Sequence, residues 1–433
     1  MKINYQSFYT RKFLCWCLAV GLGLVGLSAL IVIDARNKSY ECQAANEVIS
    51  DPAATLWYNV PASVVMDGKL YITFVGGKTP FGYSAFLRYV PRIGEYLNDF
   101  VVSFGDYHAK MIGYDSDGKL IHNQNFHEWP SPDDHAASAL IEAEGTLVAA
   151  YSHHDSKLIV RTGGPEWQDE IVVDNGATTY PKLLNTGGRL YLIYARTKPG
   201  KLGGRDLISR SSTDRGRSWS PPKTLVTAVP GNYIYASRLI AQRDGFCFTF
   251  VTYKEFEPQA KTRGNLTLQC NAKSDITVLS KIIEGGPKQD ILPFDIIMKN
   301  DSVRVGFAVC NNAFDYVSLW RDCDAYIATM TGTKWDLALL GKMATKNMPG
   351  GMAFDPNDPD RIVFSARVNG KDELQILRLS DKLNLERVIE TENTAAMPVF
   401  TEFSSPSLFW TEIIWFKTPR QHHLRLVAEC GNR

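Results

Sequence analysis

The stretch Ser212-Thr213-Asp214-Arg215-Gly216-Arg217-Ser218-Trp219 decides how the rest of the chain is read. An aspartate placed like Asp214 accepts backbone N–H groups across a tight hairpin turn. Gly216 supplies the freedom to take positive φ, and Trp219 can bury its ring between strands. The flanking segments Leu207–Ser211 and Lys223–Val226 then become neighbouring strands of one sheet.

Outward from this turn, the same grammar repeats. Lys69–Val75 follows Asp67-Gly68, Thr146–Tyr151 follows Glu144-Gly145, Arg189–Tyr194 follows Gly187-Gly188, and Phe246–Val251 follows Asp244-Gly245. Ser302–Val309, Arg361–Val368 and Ser407–Trp415 come later, after Asn300-Asp301, Pro359-Asp360 and Ser405-Pro406. Each is a β-branched or aromatic run opened by a turn, the signature of a hairpin. The spacing of roughly 45–75 residues suits blades of about four strands. Few stretches carry a helical period. The octet around Asp214 matches S-x-D-x-G-x-[TS]-W, and so resembles the Asp-box of sialidase-like and related propellers, with Ser212, Asp214, Gly216 and Trp219 as its structural residues. The expectation is an all-β chain with a single β-propeller over residues 53–433, seven-bladed in preference to six.

The N-terminus differs. Residues 13–33 form a charge-free, largely apolar run led by Lys2, Arg11 and Lys12. That length suits a helix crossing the hydrocarbon core and exceeds the ~7–15 residues of a typical cleavable signal core. It reads as one N-terminal transmembrane helix, a signal anchor, after a cytoplasmic segment 1–12 and before a linker 34–52. A cleaved signal peptide, with secretion, is the other reading. Either places the propeller outside the cytoplasm. Formal net charge is +1, so no electrostatic footprint for nucleic acid exists. Cys42, Cys247, Cys270, Cys310, Cys323 and Cys430 lie beyond the apolar run. An exported chain permits disulfides among them, and the sequence does not choose the pairing. Asn37, Asn265 and Asn300 open N-x-[ST] sequons.

Four polar clusters sit where strands end: Asp133-Asp134-His135, His153-His154-Asp155, Thr179-Tyr180-Pro181, and Arg196. The stretch from about Pro61 to Phe256 resembles the BNR-repeat propellers that include the ulvan lyases and related polysaccharide lyases. The carrying motifs are DDHAASAL (133–140), YSHHDS (151–156) and TTYPKLLNTGGRLYLIYAR (178–196), followed by the Asp-box and by YIYASRL (233–239). The resemblance implies that His135, His154, Tyr180 and Arg196 surround an acidic polysaccharide. His154 is preferred to His153 because the family's histidine directly precedes Asn or Asp. Tyr235, Arg238, Tyr253 and Lys254 are the candidate substrate-binding residues.

The chemistry of a lyase asks for such groups. It removes the proton α to a uronate carboxylate and expels the 4-linked oxygen, and that C–H is very weakly acidic until the carboxylate is neutralised. Arg196, with His154, is assigned the neutralisation, since a guanidinium grips carboxylate bidentately and stays charged. Tyr180, with His135, takes the base and acid roles. A tyrosine serves as base where adjacent positive charge lowers its pKa from about 10. No cofactor is required. A structural metal at His135, His153, His154 and Asp155 is an alternative, although adjacent histidines on a strand point to opposite faces.

Two departures separate the chain from the family pattern. Thr252-Tyr253-Lys254 stands where the family often has Asp-Gly-His, and Ala136-Ala137 follows His135 in place of a more polar pair. Both put ulvan itself in doubt while leaving acidic polysaccharides as the class. Two alternatives stay open: a sialidase-like glycoside hydrolase, and a non-catalytic cell-surface propeller binding carbohydrate or protein. The hydrolase reading lacks an F-R-I-P-like opening, because Val60-Pro61-Ala62 occupies that place.

Overall fold

The first strand of the described chain, β1 (Glu47–Ser50), pairs antiparallel with the last, Arg420–Val427. Everything between is built from antiparallel units of about four strands. The computed structural model describes residues 47–427, apart from 51–52, 55–59, 78–106, 130–133, 165, 201–202, 243–244, 255–263, 273–276, 287–288, 312–321, 346–349, 381–382, 392–393, 403–406 and 416–419. The apolar segment 13–33 and most of the linker 34–52 lie outside the described residues. Among the described residues, no helix is long and apolar enough to cross a membrane.

In the first unit, β2 (Ala53–Ala54) and β3 (Ser63–Met66) pair with β4 (Lys69–Gly77), followed outward by β5 (Tyr107–Tyr114) and β6 (Leu120–Trp129). A 3-10 turn at Asp134–Ala136 leads to the second unit: β7 (Ala139–Ala143), β8 (Thr146–Tyr151), β9 (Ser156–Gly163) and the start of β10 (Ile171–Thr186). The far half of β10 opens the third with β11 (Arg189–Thr197), β12 (Arg205–Ser212) and β13 (Lys223–Val226). In the fourth, β14 (Asn232–Ala236) and β15 (Ile240–Gln242) flank β16 (Gly245–Lys254), then come β17 (Leu266–Ala272) and β18 (Thr277–Ile283). Next follow β19 (Gln289–Lys299), β20 (Ser302–Asn311), β21 (Asp322–Thr331) and β22 (Lys334–Lys342). After them stand β23 (Met352–Phe354), β24 (Arg361–Val368), β25 (Lys371–Leu379) and β26 (Leu383–Glu390). The chain ends with β27 (Thr394–Phe400), β28 (Leu408–Trp415) and β29 (Arg420–Val427), whose outer edge β1 completes.

Each strand that the sequence opens with a turn is the second strand of a unit. The reason is local: Asp67-Gly68, Glu144-Gly145, Gly187-Gly188 and Asn300-Asp301 all take positive φ, the conformation that matches a two-residue turn to the twist of its strands. Period-2 alternation then divides the side chains between layers. On β11, Leu190, Leu192 and Tyr194 pack toward the second unit, whereas Tyr191 and Ile193 pack toward the fourth.

The core is accordingly a succession of layers between neighbouring units. Tyr71 and Val75 of β4 meet Leu147 and Ala149 of β8. Val251 of β16 meets Phe307 of β20, and Val363 of β24 meets Trp410 of β28. Phe409 of β28 packs on Leu70, Ile72 and Phe74 of β4, which joins the last unit to the first. Each fully buried Leu, Val or Phe in such a layer contributes about 1.5–3 kcal/mol. The innermost strands touch in order: β3 with β7, β7 with β10, β10 with β15, β15 with β19, β19 with β23 and β23 with β27. This is a propeller-like all-β architecture.

Two disulfides tie second to third strands. Cys247 of β16 joins Cys270 of β17, and Cys310 of β20 joins Cys323 of β21. The turn Ser212–Trp219 closes through Asp214, which accepts the Ser218 N–H at 2.9 Å and the Ser218 hydroxyl at 2.6 Å. Ser212 Oγ donates to Asp214 Oδ1 at 2.7 Å, and Trp219 Nε1 donates to the Gly216 carbonyl at 3.0 Å. Bonds from Ser218 and Ser212, against the opposing effect of burial, hold the Asp214 carboxyl down at about 2.

Candidate active site

The site is assembled where the β6–β7 connection, the β8–β9 loop, a kink in β10, and the ends of β11, β12 and β14 converge. His135 comes from the 3-10 turn before β7, and His154 from the loop after β8. Their rings stack with centroids 4.6 Å apart. Tyr180 lies 5.3 Å from the His135 ring and 6.3 Å from the His154 ring, centroid to centroid. Tyr235 of β14 lies 5.6 Å beyond Tyr180.

Backbone geometry presents Tyr180. The β10–β11 register slips between Thr179, opposite Ala195, and Lys182, opposite Ile193. At the slip, Tyr180 takes φ of +58°, directly before Pro181. A bulky residue in the left-handed region is uncommon, and a following proline restricts it further. Such outliers persist only where the surroundings over-determine them, and they concentrate at functional sites.

The cation of the cluster is Arg205, at the start of β12. It is buried, with 4% of its surface exposed. Its Nη2 lies 2.7 Å from His154 Nε2 and 3.0 Å from Asp155 Oδ2. Its guanidinium carbon sits 4.7 Å from the Tyr233 ring centroid and 5.6 Å from that of Tyr180. Because arginine can only donate, the facing Nε2 accepts, which puts the ring proton of His154 on Nδ1. Burial works against the charge of Arg205, but Tyr180, Tyr235 and Asp155 outweigh it and raise its pKa. That attraction is mutual, so the same guanidinium stabilises a phenolate on Tyr180. Gly204 makes the approach possible. It takes φ of +106°, and a Cβ there would stand 2.8 Å from the Asn232 carbonyl oxygen, beside the parallel pairing of Arg205 with Tyr233.

Asp155 anchors this arrangement. It accepts from the Thr197 hydroxyl at 2.5 Å and from Arg205. Burial pushes its carboxyl upward, but the Thr197 hydroxyl and the Arg205 guanidinium hold it below the ordinary value. Beneath the cluster lies Lys182, wholly buried, whose Nζ donates to the Tyr180 carbonyl at 3.3 Å. Burial pushes its pKa down to about 7.

The sequence-predicted residues divide. His135, His154, Tyr180 and Tyr235 come together. Arg196 does not join them. It stands on the other face of β11, 3.7 Å from Asp174 Oδ2, where Asp174 also accepts from Tyr194 at 2.7 Å and from the Gly176 N–H at 2.8 Å. A Cβ at Gly176 would lie 2.8 Å from Arg196 Nε, so the glycine makes room for that pair. Arg238 is also committed elsewhere. Its Nε lies 2.9 Å from Asp295 Oδ1, an ion pair at an angle outside hydrogen-bonding range, and its Nη2 donates to the Ile296 carbonyl. Tyr253 and Lys254 end β16 opposite Tyr233 and Asn232; their side chains, like Asp133, lie outside the described residues. His153 turns away from His154 toward Trp129, at 5.7 Å between centroids. Among the described residues, no group of three His, Cys, Asp or Glu side chains could hold a metal ion.

Sequence reasoning missed Arg205, Asp155 as its anchor, and Lys182. A usable signal existed for the first, since Gly203-Gly204-Arg205 is a double-glycine approach to a cation.

No protein-family model matches the sequence, and no curated protein does. Solved structures do match. A structure described as a polysaccharide lyase of the PL25 ulvan lyase family has a TM-score of 0.64 at 9% identity, covering 89% of this chain and 96% of its own. A second of that description, bound to -[GlcA(1-4)Rha3S]-, gives 0.63 at 9% identity over 89% and 95%. The polysaccharide lyase Uly1 gives 0.55 at 10% identity over 86% and 90%. At such identities the likeness is one of fold, and this chain shares the all-β, propeller-like architecture of these carbohydrate-active enzymes.

Proposed function

We propose that this chain is a seven-bladed propeller acting as a polysaccharide lyase, cleaving a uronate-containing acidic polysaccharide by β-elimination. The observation that carries the reading is the convergence of Tyr180, His135, His154 and a buried Arg205. The blade count is supported by the order of touching inner strands and by the pairing of β1 with β29. The fold-level likeness to ulvan lyases agrees with the chemistry.

In the proposed reaction, Arg205 faces the uronate carboxylate and withdraws its charge, making the α C–H more acidic. This role moves to Arg205 from Arg196 because Arg205 is the guanidinium that lies beside Tyr180 and His154. Tyr180, as phenolate held by the guanidinium, takes that proton. The C–H electron pair becomes the double bond as the bond to the 4-linked oxygen breaks, and Tyr180 returns the proton to that oxygen. His135, beside the phenol, is the group that takes the phenol proton beforehand. His154 is the acceptor that orients Arg205.

A hydrolase of the sialidase type requires three arginines converging on the substrate carboxylate and a tyrosine paired with a glutamate. The described carboxylate of this cluster is Asp155, and it is committed to Arg205 and Thr197. The hydrolase reading therefore has less support. Two disulfides fit an oxidising compartment, so we place the propeller outside the cytoplasm, anchored through the segment 13–33 or released from it.

The test is absorbance at the unsaturated-uronate band while the protein meets a panel of acidic polysaccharides. A rise with one polymer, abolished in Tyr180→Phe, is expected. Binding of a polymer without any rise would instead favour a carbohydrate-binding propeller.

A further inference from the structure

Lys182 has no part in the reaction just described, yet it is one of the largest wholly buried side chains in the protein. A lysine is almost never fully buried without a specific reason. Its surroundings in the chain supply one. The register slip removes Tyr180 and Pro181 from the β10–β11 ladder, which resumes only at Lys182. Tyr180 is itself buried, and its carbonyl is turned out of the ladder by the left-handed backbone. Lys182 Nζ stands 3.3 Å from that oxygen. The lysine backbone is fixed independently. Val60 bridges to Lys182 in parallel, and the Leu183 N–H donates to the Val60 carbonyl at 3.0 Å.

We infer that Lys182 is a positioning residue, whose Nζ locks the left-handed conformation of Tyr180 and so aims its phenol at His135 and Arg205. The kinetic part of this inference rests on the lyase reading; the conformational part does not. Burial lowers the lysine's pKa to about 7 because desolvation disfavours the ammonium, and Nζ carries a donor for the Tyr180 carbonyl in either protonation state. A buried group kept at such a cost, beside a strained residue, is characteristic of a site whose geometry matters more than its stability. Lys182 acts through the backbone of Tyr180.

The experiment compares wild type with Lys182→Met, which keeps the length and apolar stem and removes the donor. Two readouts are taken: the crystal structure around Tyr180, and kcat and KM on whichever polymer the wild type cleaves. The expected result is a Tyr180 φ that leaves the left-handed region, with kcat down about 10- to 100-fold and KM nearly unchanged. Tyr180 remaining at positive φ in the variant overturns the inference, and so does an undiminished kcat. If the wild type cleaves no polymer, the lyase reading fails and the Tyr180 backbone still decides the role of Lys182. If Lys182→Met does not fold, the wild-type crystal structure decides. Nζ within hydrogen-bond distance of the Tyr180 carbonyl supports the inference, and Nζ beyond about 3.5 Å overturns it.

Discussion

Arg196 and Arg205 are nine positions apart in sequence and sit on opposite faces of neighbouring strands. The pairing of Thr197 with Arg205 and of Arg196 with Asp206 fixes which of them meets Asp155 and His154. The alternation of RLYLIYAR already held this information. Leu190, Leu192 and Tyr194 share one parity and one core layer, and Arg196 continues it. His135, His154 and Tyr180 were legible because each ends an element beside a turn or proline. Arg205 is marked in the sequence by Gly203-Gly204 alone, and its role depends on β12 meeting β14, a contact between units that this local pattern does not specify. The expected consequence is unequal. Arg205→Ala should lower kcat/KM by about 10²–10³-fold, the range for one preorganised charge-stabilising group. Arg196→Ala should cost less than ~10-fold, and steady-state kinetics on the cleaved polymer distinguish the two. Arg205→Lys should recover little, since an ammonium cannot place one donor on the Thr197 hydroxyl and another between His154 and Asp155, as Nε and Nη2 do.

At the scale of elements, the hairpins were readable and the joints between units were not. Turn pairs such as Gly187-Gly188 announce themselves, because positive φ selects for glycine and asparagine. β10 is different where it leaves one unit for the next. Its Asn175-Gly176 reads as a turn, yet neither residue takes positive φ, and the strand instead bends through register slips after Val172, after Asp174 and after Thr179. The Ser212–Trp219 turn makes a pH prediction. Asp214 titrates at about 2 in the folded protein against about 3.9 for a free aspartate. Its contribution to stability is therefore complete above about pH 4 and is lost as pH falls through about 2. Asp214→Asn should melt below wild type at neutral pH, with the gap closing between about pH 4 and 2. A gap that stays constant with pH would show that the charge of Asp214 plays no part. Partial exposure keeps the effect modest.

For the whole molecule, the layered core implies that stability is distributed from unit to unit, as in repeat architectures. The junction that differs is the last, where β1 covers the edge of β29 and Phe409 packs against β4. Removing Glu47–Ser50 should expose the N–H and C=O groups of β29 as a free edge. Such a truncated protein is expected to unfold at lower temperature and to self-associate, as differential scanning calorimetry and light scattering would show. An unchanged melting temperature would mean that this edge strand adds nothing to cohesion.

That same pairing has a consequence for how the protein is made. Glu47 is aligned with Leu426, so nearly the whole chain must leave the ribosome before the first strand meets its partner. At about 5–20 residues per second, the early segment waits on the order of tens of seconds. During that interval its pairing groups are open to other chains. Closing the architecture is a post-synthetic event, and the yield of native protein should depend on what shields residues 47–50 until the C-terminus arrives.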